Sequence, residues 1–99
     1  MKIYRFYWDA GKMGSLTGMF VVNARGEEKL RQLVGRQVYF GEALGKHSEI
    51  YGKLEASDLR EVPASEADVA VVVRIFELDL SNGWASLSGY CPLNYRGEE

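Results

Sequence analysis

The spacing of apolar and polar positions changes period several times along the chain, and each change marks an element. Residues 2–8 alternate: Tyr4, Phe6 and Trp8 fall on one face, and Ile3, Arg5 and Tyr7 on the other. That alternation, in aromatic and β-branched residue types, predicts a strand. Residues 9–15 carry turn chemistry, with Gly11 and Gly14 available for positive φ. Residues 16–22 predict a second strand, antiparallel to the first. Gly18 inside it marks a bulge or the close approach of another group. Over residues 26–34 the period becomes helical through Leu30, Leu33 and Val34. Glu27 and Glu28 lead and Lys29 and Arg31 follow, the charge order that suits the helix dipole. Gly35 stands where a left-handed cap is wanted.

Residues 36–42 and 49–54 read as the arms of a second hairpin joined by residues 43–48. Ile50, Gly52 and Leu54 share one face of the returning arm. Residues 58–62 predict a short strand ended by Pro63. The run 65–81 has two readings. Val69 to Val73 has strand propensity, yet Val69, Val72, Val73, Phe76 and Leu80 trace a helical stripe, and Ser65 with Asp68 makes a capping box. Length favours the helix, so residues 65–80 are expected to be mainly helical. Residues 84–95 are too apolar to stay in solvent and are expected to pack back onto the domain. The order β-β-α-β-β-(β)-α predicts an α+β fold: a mostly antiparallel sheet of four to five strands with two helices packed on one face.

Length and composition add boundaries. Ninety-nine residues, 46% hydrophobic and 26% charged, suit a single globular domain spanning 1–99. Cys91 is the only cysteine, so no intramolecular disulfide forms, and a reducing, cytoplasmic setting is expected. The N-terminal apolar run is broken by Arg5 and Asp9, unlike a signal peptide. The apolar stretch 69–73 is far too short for a membrane span, so no membrane partner is expected. A net charge of −2 argues against general nucleic-acid binding, though a local basic patch is compatible with it.

The densest candidate chemistry lies in residues 39–52. Tyr39, Glu42, Gly45, Lys46, His47, Ser48, Glu49 and Tyr51 bring donors, carboxylates and phenols to one hairpin. Glycine lets the backbone turn its N–H groups outward, and Lys46, His47 and Ser48 each donate, the makings of an anion-binding loop. It is not a phosphate-binding Walker loop: Phe40 stands where the first glycine belongs, His47 replaces the magnesium-binding hydroxyl, and a strand follows instead of a helix. A solvated turn is the competing reading of the same residues. Tyr4, Phe6 and Trp8 offer a stacking platform, but three aromatics on one strand face more often make core. Cys91 with His47 could form a thiolate pair, though a lone cysteine beside Pro92 reads as a small buried hydrophobe. Residues 79–83 lack the spacing of a calcium loop and read as a helix end. No metal, catalytic set or cofactor is called for.

Two stretches resemble a known group. Residues 38–42 with 45–52 (VYFGE…GKHSEIYG) and the ending Ser88-Gly89-Tyr90, Pro92-Leu93, Tyr95 are similar to segments of small uncharacterised proteins of phage and prophage type. Cys91 departs from that pattern, where a polar residue is expected. The resemblance implies an accessory protein that acts by binding, as in evasion of host defence, either by sequestering a small nucleotide signal or by covering a host protein surface. The sequence therefore leaves three classes. The leading one is a non-catalytic protein that binds a small anionic, nucleotide-like ligand near residues 41–51, with a homo-oligomer compatible. The second is an inhibitor of a host protein. The third is a small acid–base enzyme using Glu42 or Glu49 with His47.

Overall fold

The computed structural model describes residues 1–9, 11, 14–41 and 50–94, with backbone alone considered at 39–41, 50 and 51. Strands β1 (Lys2–Asp9) and β2 (Ser15–Val22) form an antiparallel pair in which Phe6 faces Gly18 and Tyr4 faces Phe20. Helix α1 (Ala24–Leu33) follows, then β3 (Gln37–Gly41), β4 (Ile50–Lys53), β5 (Leu59–Glu61), α2 (Glu66–Ile75) and β6 (Trp84–Gly89). One sheet has the order β5-β1-β2-β6, antiparallel throughout, and β3 pairs with β4 as a separate ribbon. The chain is thus an α+β fold with two helices packed against an antiparallel sheet.

Its layers differ from the expected arrangement: the helices take opposite faces, and the β3–β4 hairpin stands apart from the main sheet. Leu30 of α1 is buried with Phe6, Leu16, Phe20 and Val22, whereas Val69 of α2 is buried with Ile3 and Val21. Alternation along β1 and β2 puts those two sets on opposite sides of the sheet. The aromatic face is so bulky that α1, the β3–β4 ribbon and the Cys91–Leu93 turn together cover it, with Val38, Leu54, Cys91 and Leu93 joining the same core. Ile3, Met19, Val21 and Leu87 leave a second apolar patch at one end of the other face, and α2 covers that.

Local chemistry sets the element ends. Asn23 caps α1, its Oδ1 accepting from the Gly26 N–H at 3.1 Å, so the helix begins before residue 26. Residue 26 is glycine because the Gly83 carbonyl lies where a side chain would go. Ser65 and Asp68 form the reciprocal capping box of α2, each bond 3.1 Å. The helical reading of this segment therefore holds, but the helix stops at Ile75 and not near residue 80. Glu77 turns left-handed at φ 51°. The Leu78 N–H reaches the Val73 carbonyl and the Glu77 N–H reaches that of Arg74, the paired bonds of a Schellman close. Leu78 and Leu80 then drop into the cluster around Val69.

The segment 84–89, expected only to dock, is a strand beside β2. A bulge between Met19 and Phe20 leaves Leu87 unpaired and lets it reach the α2 cluster. Gly18 meets the backbone of Tyr90, so the close approach expected at that glycine is real. Among the described residues no helix is long and apolar enough to cross a membrane.

A candidate anion-binding sheet face

Because α2 covers only the Ile3–Val21 end, the rest of that face stays open. On β1 the residues after Ile3 on this side are Arg5 and Tyr7, both exposed, with Tyr7 56% accessible. Strand β5 pairs with β1 so that Arg60 stands directly opposite Arg5. Directly opposed residues of an antiparallel pair have Cα atoms about 4.5–5.5 Å apart, so two guanidinium groups share one patch. On the other flank Arg5 faces Met19 and Tyr7 faces Thr17, while Ser88 of β6 faces Met19.

Two shallow grooves run along the Arg5–Tyr7 ridge. One, about 330 Å³, lies toward Arg60, Ser57 and Asp58; the other, about 410 Å³, lies toward Thr17, Met19 and Ser88. Like charges directly opposed across a ladder destabilise it, which makes the Arg5–Arg60 pair costly as scaffold alone. Among the described residues neither arginine has a carboxylate within ion-pair distance. The nearby acids are engaged with backbone: Asp58 Oδ2 accepts from the Glu55 N–H at 2.9 Å, and Asp9 Oδ1 from the Gly11 N–H at 2.8 Å. The patch therefore presents two exposed cations, a phenol and three hydroxyls, with the Asp58 carboxylate at one side, and its donors suit an oxyanion.

The hairpin candidates fall differently. Tyr39 and Tyr51 are direct partners across the β3–β4 ladder, and Gly41 pairs with Ile50. Glu42, Gly45, Lys46, His47, Ser48 and Glu49 lie outside the described residues. The ribbon that carries them rests on the aromatic face, where Gly52 abuts Trp8, so its base is on the side of the sheet opposite Arg5 and Arg60.

Comparison with known family models, curated proteins and solved structures gives no match.

Other candidate chemistry proves structural. Phe6 is buried, and Tyr4 stacks on Phe20 with centroids 5.8 Å apart, so the Tyr4/Phe6/Trp8 face is core. Cys91 is fully buried, and burial pushes its thiol up to about 12, far from a ready thiolate. Lys2, Tyr4 and Glu27 form a polar cluster beside a small apolar recess: Lys2 Nζ lies 2.9 Å and Tyr4 Oη 3.4 Å from Glu27 Oε1. The hydrogen bond from Lys2 holds the Glu27 carboxyl below its ordinary range, so it works as a fixed anion. Among the described residues no group of three or more His, Cys, Asp or Glu side chains could hold a metal ion.

Arg5 and Tyr7 were legible as the face opposite the aromatics. Arg60 was not, because only the β1–β5 register sets it against Arg5.

Proposed function

We propose that this chain is a small, non-catalytic binding protein for an anionic, nucleotide-like ligand, held on the open sheet face. The observation that carries the reading is the directly opposed Arg5–Arg60 pair with exposed Tyr7 two residues along the same strand face. A phosphate between the two guanidinium groups relieves their repulsion and accepts charge-assisted hydrogen bonds. The step from Arg5 to Tyr7 is about 6.6–6.8 Å along the strand, short enough for a base to stack on the phenol while its phosphate stays on the arginines. A single nucleotide suits a chain with a net charge of −2 better than a nucleic-acid polymer, which needs an extended basic surface.

Calorimetric titration with a nucleoside monophosphate, its free nucleoside and inorganic phosphate tests this. Arg5→Ala and Arg60→Ala should each weaken nucleotide binding by about 1.5–3 kcal/mol, the scale of a hydrogen bond to a charged group. Tyr7→Leu should weaken the nucleotide but not phosphate. If the arginine variants bind like wild type while Lys46→Ala and His47→Ala do not, the ligand sits at the hairpin loop. Absence of binding to all three probes would remove the anion-binding reading.

A further inference from the structure

The two edges of the sheet are unequally protected. Strand β5 is three residues long, carries Arg60 and Glu61, and is closed by Pro63 two residues on, the usual devices against pairing with another chain. Strand β6, Trp84-Ala85-Ser86-Leu87-Ser88-Gly89, has neither charge nor proline, and its one irregularity is the bulge at Leu87. Its inner edge pairs with β2, and among the described residues no strand pairs with its outer edge.

Beside the first residue of that strand lies an open groove of about 390 Å³, lined by Arg25, Glu28, Lys29, Gln32, Asn82 and Trp84. Lys29 Nζ sits 4.9 Å from the centroid of the Trp84 ring, and Trp84 is pinned by its Nε1 donating to Asn94 Oδ1 at 2.8 Å. Glu28, the one acid lining the groove, is already paired with Arg31 at 2.8 Å. Arg25 and Lys29 have no such partner among the described residues. They also break two local rules. Like charges four apart repel on a helix, and Arg25 lies in the first turn of α1, where the macrodipole favours an anion.

We infer that the outer edge of β6 is a docking site for an extended acidic segment of a partner protein, which adds as a strand while its carboxylates meet Arg25 and Lys29. The unpaired outer edge of β6 supplies the ladder, and the two cations supply the preference for acidic side chains. The arriving carboxylates remove both electrostatic penalties in α1. A second copy of this chain fits the edge less well, since its own β6 would bring no carboxylate to the groove. The cations of this surface, on α1, lie across the sheet from the Arg5–Arg60 pair, although Ser88 of β6 also borders the groove beside Tyr7.

The test is fluorescence anisotropy of the full chain with three labelled peptides: alternating glutamate and valine, alternating lysine and valine, and the acidic peptide N-methylated on alternate backbone nitrogens. The acidic peptide should bind at least about tenfold more tightly than the basic one, a difference of about 1.4 kcal/mol. N-methylation on the paired side should abolish binding, because it removes the donors of the new strand. Arg25→Glu suits the first turn of α1, so the variant should fold, and it should weaken the acidic peptide by about tenfold. Equal binding of the acidic and basic peptides, no effect of Arg25→Glu, or no effect of N-methylation would overturn the proposal. So would sedimentation of the free protein as a dimer that Ser86→Arg disperses, which would assign the edge to a second copy.

Discussion

Gly52 lies against the indole of Trp8 so closely that a Cβ at position 52 would run into ring atoms Cζ2, Cε2 and Cη2. This contact fastens the β3–β4 ribbon to the aromatic face of the main sheet. Gly52→Ala should therefore destabilise the protein by about 1–3 kcal/mol, the ordinary cost of overpacking a core. Urea unfolding followed by tryptophan fluorescence measures it. An unchanged midpoint would mean that the ribbon does not depend on Trp8.

Glu77 closes α2 in the left-handed region at φ 51°, a conformation that strains any side chain with a Cβ. Glu77→Gly should stabilise the fold by up to about 1 kcal/mol, since glycine is the residue this cap prefers. A rise in the thermal midpoint with unchanged circular dichroism is the expected result. A fall would show that the glutamate makes an interaction outweighing its strain.

The Lys2–Glu27 pair sets a pH dependence. Glu27 is held below the ordinary carboxylate range, chiefly by the hydrogen bond from Lys2. Its contribution is present above the unfolded carboxylate pKa, about 4.3, and is lost as pH falls through the folded value. Lys2 is raised by the same bond, so its contribution holds below the ordinary lysine range and fades as pH rises through the folded pKa. The stability difference between wild type and Lys2→Met should be present at neutral pH and vanish as the medium is acidified into the carboxylate range. Denaturant melts at stepped pH check this, and parallel curves would sink it.

Cys91 should be inert while the chain is folded. Its thiol is buried and raised to about 12, so alkylating reagents at pH 8 should modify it only after denaturant is added. Ionisation of the unfolded thiol should erode stability as pH rises above about 8.5, and Cys91→Ala should lack that component. Both Cys91→Ala and Cys91→Ser should retain ligand binding. A folded Cys91→Ala protein without activity would return the thiol to consideration as a nucleophile.

The loop of residues 45–48 has its own test. If it binds the anion, Lys46→Ala should weaken binding by about 1.5–3 kcal/mol with little change in stability. His47→Ala should act in the same direction, more strongly at acidic pH where an imidazolium is the donor. Variants that bind like wild type while folded would make the loop an ordinary turn.

What the sequence by itself determined here is local. The alternation of residues 2–8 and 16–22 sets two strands and their faces, Ser65 with Asp68 starts α2, and Gly18 marks a close approach. Each follows from side-chain periodicity or from hydrogen bonds spanning three residues, which the order of residues encodes directly. Tertiary structure decided the rest. The end of α2 at Ile75 reflects the pull of Leu78 and Leu80 into the Val69 cluster, a gain no helical stripe reveals. The segment 84–89 became a strand because β2 offered an edge to it. The helices separated to opposite faces because apolar patches on both sides of one sheet had to be covered, and that depends on how strands far apart in sequence align. The Arg5–Arg60 pair is of the same kind: two arginines fifty-five residues apart become neighbours only through the register of β1 with β5.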